Sequence, residues 1–310
     1  VAYTRIRQEM NEKKGFECMA FCNVEFFSRS LNRSVQCGVI LPTDQGPYVE
    51  QPQKKPFPTL YLLHGMTGSQ VGWYGMETLW DLANQYSLAV VMPNGENSFY
   101  ADSPLTGAFY STFISRELVE FTRNTFPLSH RREETFIGGL SMGGFGAIVN
   151  GLRNPETFGY ITAFSSALIK RLILRSDEKE GMDYFTRIQY QNMFGLDNIR
   201  EFEGSDWDYD VLARKLAASG KEKPKIYMDC GTEDTSLYEA NLDFRNLLLE
   251  LGYDVTWDSR PGFHDNVFWN DSIKKTVDFL PVRKLEYAPD SPIRNGLTAM
   301  NEAMIRKMKK

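Results

Sequence analysis

The chain has 310 residues, a formal charge of −5 and 42% hydrophobic residues. That is enough apolar material for a sizeable core, which excludes a disordered chain, and the acidic balance excludes the basic face on which nucleic-acid binders depend. No apolar run reaches the length of a membrane span, so neither nucleic acid nor a bilayer is expected as a partner.

At the N-terminus, Val1-Ala2-Tyr3-Thr4-Arg5 carries neither an initiator Met nor a signal-like apolar region, as expected of a trimmed or processed chain, and this leaves export open. Cys18 to Phe27 and Val35 to Leu41 are β-rich and flank the polar Ser30-Leu31-Asn32-Arg33, which predicts an antiparallel hairpin. A proline-rich connection runs from Pro42 to Pro58. Strands are then predicted at Thr59 to Leu63 and Leu88 to Met92, helices near Glu77 to Tyr86 and Ser111 to Phe126, and a further strand and helix from Thr135 onward. Gly159 to Phe164, Pro224 to Cys230 and Tyr253 to Trp257 read as strands, with helices near Ser236 to Leu251 and Val267 to Leu280. This alternation predicts the α/β class, a mostly parallel central sheet with helices on both faces. Length alone suggests about two domains, but composition forces no split and one domain over 1–281 is expected.

Between Ser165 and Asp206 the alternation breaks. Residues from about 166 to 206, among them Arg171, Tyr184, Phe185, Tyr190 and Phe194, read as an insertion above the sheet, either a solvated helical excursion or a small cap over the substrate pocket. In the 282–310 tail, Leu297, Met300, Met304 and Met308 recur at helical spacing, which suits core packing or a subunit contact and leaves a homo-oligomer open. Four cysteines, Cys18, Cys22, Cys37 and Cys230, are too few and scattered for a disulfide framework or a zinc site. Cys18 and Cys22 would share a strand face about 13 Å apart, beyond disulfide reach, although either could face Cys37 across the hairpin. Free thiols, no metal site and a cytoplasmic location are therefore expected.

The most specific signal is Ile137-Gly138-Gly139-Leu140-Ser141-Met142-Gly143-Gly144-Phe145-Gly146. It reads as a buried strand ending in a glycine-flanked serine that opens a helix, the G-x-S-x-G nucleophile elbow. A serine lifted off a strand end by a sharp turn needs neighbours without Cβ atoms, so that strand and helix can approach. A P-loop needs Gly-Lys-Ser/Thr, and a dinucleotide fingerprint needs G-x-G-x-x-G after the strand; neither spacing is present. The other reading of the run is a purely structural glycine turn.

A serine hydroxyl is a poor nucleophile until a base takes its proton, and only three histidines compete for that role. His64 ends a strand and begins His64-Gly65-Met66-Thr67-Gly68, the region in which α/β-hydrolases build half of an oxyanion hole, so its ring reads as holding that loop. His130 sits in a polar connection and reads as a surface residue. His264, in Arg260-Pro261-Gly262-Phe263-His264-Asp265 between the last strand and a helix, is the expected base. The acid belongs between Ser141 and His264 at a strand end. Asp229, Glu233 and Asp234 are the candidates; Asp229 lies within the strand as a buried structural carboxylate, and Asp234, beyond the turn after Gly231, is preferred. Asp265 is too close to His264 in sequence to orient it from a separate strand end.

With these roles Ser141 attacks a carbonyl, His264 shuttles the proton, and Asp234 fixes the imidazole tautomer. The oxyanion meets the backbone amides of Met142 and Met66. Water completes the cycle without metal or organic cofactor, and activity is expected to fall on acidification as imidazoles protonate.

Taken in order, His64-Gly65-Met66, Pro93-Asn94-Gly95 with Ser98-Phe99-Tyr100, Gly139-Leu140-Ser141-Met142-Gly143-Gly144, Gly231-Thr232-Glu233-Asp234 with Leu237-Tyr238, and Gly262-Phe263-His264 resemble the esterase D-like branch of the α/β-hydrolases. The tributyrin-esterase group is the closest likeness, over about Phe16 to Pro281. The resemblance implies the α/β-hydrolase fold and carboxylesterase activity on short acyl esters of small molecules, in some members acetylated sugars or cinnamoyl esters. It carries over Ser141, Asp234 and His264 as a triad and Met66 and Met142 as oxyanion donors. His64, Gly65, Asn94 and Tyr100 then fall at the substrate pocket, with structural turn packing the other reading of Asn94 and Tyr100. Related S-formylglutathione hydrolases usually place His after the paired glycines; Phe145 stands there in this chain, and the first loop has the His-Gly form. Both departures point away from a glutathione thioester. The expected function is a serine carboxylesterase. The alternatives are a feruloyl or cinnamoyl esterase, an acyltransferase using the same intermediate, and a non-catalytic binding scaffold on this fold.

Overall fold

Three short runs set the frame because each is buried along its whole length: Thr59–Leu63, Ala89–Pro93 and Thr135–Leu140. A strand buried on both faces needs cover on each side, which parallel strands joined by helices provide. The computed structural model, which describes residues 18–44, 55–176 and 185–285, has this arrangement. Its strands are β1 Cys18–Ser28, β2 Arg33–Asp44, β3 Thr59–Leu63, β4 Ala89–Pro93, β5 Asp102–Ser103, β6 Ala108–Phe109, β7 Thr135–Leu140, β8 Tyr160–Phe164, β9 Lys225–Gly231 and β10 Val255–Arg260. Eight of them form one sheet in the order β1-β2-β4-β3-β7-β8-β9-β10, and β5 pairs with β6 in a separate ribbon. β1 and β2 are the expected hairpin; β2 runs antiparallel to β4, and the pairs from β4 to β10 are all parallel. This is the α/β-hydrolase fold.

Strand parity feeds two cores. Tyr61, Leu63, Val91, Ile137, Ile161 and Met228 pack on one face with residues of the helices Leu118–Thr125, Met142–Arg153, Tyr209–Ala218 and Tyr238–Glu250. Leu60, Leu62, Val90, Phe136 and Tyr227 pack on the other, against Glu77–Gln85 and Asn266–Phe279. Because the strands of the main sheet from β3 onward are parallel, Leu63, Leu140, Gly231 and Arg260 end at one edge, where residues distant in sequence can meet.

Several elements depart from expectation. The last strand begins at Val255 rather than Tyr253, whose hydroxyl is instead drawn inward to donate to the Ala213 carbonyl at 2.8 Å. The helix expected from Ser111 to Phe126 is composite, with a π-helical Phe113–Glu117 between Tyr110–Thr112 and Leu118–Thr125. Tyr209–Ala218 is an unforeseen helix, started by Asp208, whose side chain accepts the Asp210 amide. Residues 166–206 hold the helices Lys170–Arg175 and Arg187–Phe194 and a 3-10 turn Ile199–Phe202. Among their described residues Tyr190, Phe194 and Phe202 are buried, and Phe194 packs against Phe99 and against Phe145 of the helix that follows Ser141. In the hairpin Val24 stands opposite Cys37 and Cys22 opposite Val39, so these two thiols are diagonal neighbours; Cys22, Cys37 and Cys230 are free. Tyr184 and the tail residues Leu297, Met300, Met304 and Met308 lie outside the described residues. Among the described residues no helix is long and apolar enough to cross a membrane, and no group of His, Cys, Asp or Glu is arranged to hold a metal ion.

Candidate active site

Ser141 sits between the end of β7 and the first turn of Met142–Arg153 with φ 54° and ψ −118°. A non-glycine residue in that region is strained, and such strain persists only where the surroundings over-determine it. Here they do. A Cβ on Gly143 would lie 2.2 Å from the Leu63 carbonyl oxygen, and one on Gly139 would lie 2.6 Å from the Gly143 backbone, so only glycines let the three segments touch. The Ser141 amide donates to the Phe164 carbonyl (2.8 Å), and its carbonyl accepts from Ala167 (2.9 Å). The serine is thereby held from β8 as well as β7.

The loops after β9 and β10 are joined to each other. Thr232 donates to the Arg260 carbonyl and Glu233 to the Gly262 carbonyl, at 2.9 and 3.1 Å. A Cβ on Gly231 would meet the Gly262 oxygen at 2.1 Å, which makes glycine obligatory at this crossing. The joined loops present Asp234, 4% exposed, to His264. His264 Nδ1 lies 2.7 Å from Asp234 Oδ2, and His264 Nε2 lies 2.9 Å from Ser141 Oγ. A carboxylate only accepts, so Nδ1 carries the proton and Nε2 is left to accept the Ser141 hydroxyl proton. Trp269 packs edge-on to the imidazole, ring centres 4.8 Å apart. Ser141, His264 and Asp234, 123 and 30 residues apart along the chain, form one hydrogen-bonded line. Such a line can activate a hydroxyl for attack on an acyl carbon.

Residues 28–274 match the family model described as "Putative esterase". The chain belongs to this esterase family. It is 37% identical over 264 residues to an acetyl esterase of Caldicellulosiruptor saccharolyticus, covering 84% of this chain and 98% of that one. Among solved structures it resembles fluorophosphonate-binding serine hydrolase F of Staphylococcus aureus, with a TM-score of 0.73 and 28% identity over 84% of this chain and 98% of the other. It also resembles the S-formylglutathione hydrolase of Staphylococcus aureus, with a TM-score of 0.72 and 29% identity over 85% and 99%.

In this esterase the loop after β3 lies against the nucleophile: a Cβ on Gly65 would be 3.5 Å from that of Ser141. Met66 is half-buried on this loop, and Met142, fully buried, is the first residue of the following helix, where amides lack an intrahelical acceptor. The loop is braced from behind. His64 Nδ1 donates to the Gly65 carbonyl and Nε2 accepts the Gly95 amide, both at 2.8 Å, and the Asn97 side chain accepts the Thr67 amide, also at 2.8 Å. Burial is the main influence on His64 and lowers its proton affinity, which suits the neutral tautomer these bonds require.

Two expected pocket residues therefore move. His64 is buried with both ring nitrogens committed to backbone, and it supports the loop rather than lining a pocket. Tyr100 is 0% exposed; its ring fills the space over Gly95 and Gly146, and its hydroxyl donates to the His64 carbonyl at 2.9 Å. Asn94 is half-buried and accepts the Glu96 amide within its own turn. Sequence reasoning passed over Asn97 and Trp269, because neither has a local pattern that distinguishes a brace from an ordinary turn or core residue.

The other candidates lie elsewhere. His130 is exposed just before β7, at the opposite end of the strands from Ser141. Asp265 caps the last helix by accepting the Val267 and Phe268 amides, and Glu233 is exposed. Asp229 is fully buried and faces Tyr227 and Arg260; burial, only partly offset by these partners, pushes its carboxyl up to about 6. Two depressions, of about 260 Å³ around His130 and about 590 Å³ around Tyr160 and Lys225, both open at the N-terminal ends of the strands.

Proposed function

We propose that this esterase hydrolyses short-chain carboxylic esters, acetyl to butyryl, through an acyl-serine intermediate. The observation that carries the reading is the line Ser141 Oγ, His264, Asp234 at 2.9 and 2.7 Å, set at strand ends in a member of an esterase family. The likeness to an acetyl esterase supports the acyl range.

In this mechanism Ser141 Oγ attacks the ester carbonyl carbon while its proton passes to His264 Nε2. The imidazolium is held by Asp234 and then gives that proton to the departing alkoxide. The tetrahedral oxyanion accepts from the amides of Met142 and Met66, whose placement beside Ser141 the braced loop and the helix start favour. His264 next takes a proton from water, which attacks the acyl carbon; collapse returns Ser141 and releases the acid. The 166–206 segment acts as a cap whose aromatic packing against Phe99 and Phe145 limits the acyl group. A cytoplasmic site of action accords with the three free thiols.

Initial rates on p-nitrophenyl acetate, butyrate and octanoate, with methyl ferulate and S-formylglutathione alongside and Ser141→Ala as the blank, test this. The expected result is a maximum at acetate to butyrate that vanishes in the variant. A maximum on ferulate would move the reading to a cinnamoyl esterase, and one on the thioester to the chemistry named for the second staphylococcal neighbour.

A further inference from the structure

We propose that Cys230 is a positioning residue for the base: its thiol donates to Asp234 Oδ2, the oxygen that also receives the His264 Nδ1 proton, and so sets how firmly the acid holds the imidazole. The proposal rests on the reading of Ser141, His264 and Asp234 as the catalytic line. Cys230 Sγ lies 3.8 Å from Asp234 Oδ2, within reach of a sulfur hydrogen bond, while His264 Nδ1 lies 2.7 Å from the same atom. The direction of the bond follows from the partners. Asp234 acts as a carboxylate and has no proton to give, so the proton is on sulfur.

The fold holds the thiol in that state. Cys230 is 0% exposed near the end of β9, and the turn in which the Asp234 amide donates to the Gly231 carbonyl at 3.1 Å folds the acid back over it. Burial raises the thiol strongly, and the neighbouring Asp234 and Asp229 act in the same direction. Ser165, buried beyond the end of β8, acts on the thiol in the opposite direction, too weakly to reverse the effect of burial. A donor on a carboxylate draws off charge, which weakens its pull on a protonated imidazole partner. Cys230 therefore keeps the His264 imidazolium a readier proton donor, and the neutral imidazole populated to lower pH, than Asp234 alone would.

Other titratable or charged groups around the pair are engaged elsewhere or point away. Tyr238 bonds Ser259, Asp265 caps its own helix, Arg260 pairs with Asp229, Asp258 and Asp271, and Glu233 is exposed. Among the described residues none of these side chains bonds the side chain of His264 or Asp234; the Tyr238 amide meets only the Asp234 backbone carbonyl, at 2.9 Å.

The test uses Cys230→Ala and Cys230→Val, both without a donor, the valine filling the space and excluding water. The pH dependence of kcat/KM on p-nitrophenyl acetate is measured with the proton NMR resonance of His264 Nδ1–H. In both variants the acid limb is expected to move to higher pH by about 0.3 to 0.6 unit and the resonance downfield, with little change in plateau kcat. An acid limb and resonance at the wild-type position in Cys230→Val, whatever alanine does, would overturn the proposal, since volume alone would then account for the residue. Ser141→Ala, assayed in parallel, keeps the two claims apart: activity surviving that change defeats the catalytic line itself, whereas an immobile acid limb defeats only the role of Cys230.

Discussion

Two clusters of acids and bases grow from β9 and β10, and their contrast shows how strand geometry divides structural from chemical work. In the first, Asp229, Asp258 and Arg260 lie along the strands with Lys275 and Asp271 from the last helix, Arg260 reaching Asp229 at 3.1 Å and Asp258 at 2.5 Å. Arg260 also lies over the Phe268 ring at 3.8 Å, so its charge is enclosed. In the second, Asp234 and His264 stand just past the strand ends and bond each other, and the line continues to a serine that remains partly open. Asp234 lies five positions after Asp229. The first is held within the sheet by Tyr227 and Arg260, both at its Oδ2; the second has a partner that faces substrate.

The sharpest way to break this contrast is to neutralise each acid in turn. Asp234→Asn is expected to lower kcat on p-nitrophenyl acetate by about 10⁴-fold, because an amide at that point holds the wrong imidazole tautomer. Asp229→Asn should leave kcat within a few-fold of wild type, and equal losses in both would erase the distinction. The same Asp229 variant probes stability. Its carboxyl is raised to about 6, chiefly by burial, so the folded state binds a proton more tightly than the unfolded chain between about pH 4 and 6, and stability from this group falls as pH rises through that window. Denaturant titrations of wild type and Asp229→Asn should diverge in favour of the variant by on the order of 3 kcal/mol from pH 4 to 7. A constant difference across that range would show that Arg260 fully compensates the charge.

Gly231→Ala tests how the two loops that carry Asp234 and His264 are held together. The new Cβ would collide with the Gly262 carbonyl oxygen, and separating the loops by about 1 Å is expected to cost about 100-fold in kcat. Unchanged kinetics would mean that the loops position the pair by some other contact. The smallest effect is expected of Asn97→Ala, which removes the acceptor for the Thr67 amide on the proposed oxyanion loop. The loss of about 1 kcal/mol of bracing should appear as a few-fold drop in kcat with little change in KM.

The sequence was most informative where chemistry and backbone constrain the same residues. The glycines around Ser141 announced the elbow because the close approach to Leu63 and His64 admits nothing larger, and the apolar runs of β3, β4 and β7 announced a doubly covered sheet. His264 and Asp234 were legible from chain order and from their place after strand ends. Long-range packing was not. Tyr100 and His64 are polar residues in a glycine-rich turn, which reads as a pocket wall until tertiary contacts bury them. Trp269 lies in the first turn of a helix, and only the fold turns its ring toward His264. Cys230 could be read as a buried thiol, but its alignment with Asp234 depends on the turn at Gly231.

The central claim is that Ser141 carries the acyl group, and trapping that intermediate tests it most directly. Enzyme quenched in acid during turnover of p-nitrophenyl acetate would be digested and its peptides examined by mass spectrometry. One acetyl group on Ser141 is expected, absent from Ser141→Ala and strongly reduced in His264→Ala, whose serine has no base to take its proton. Turnover without acetylated enzyme, or acetyl carried stoichiometrically by another residue, would contradict it.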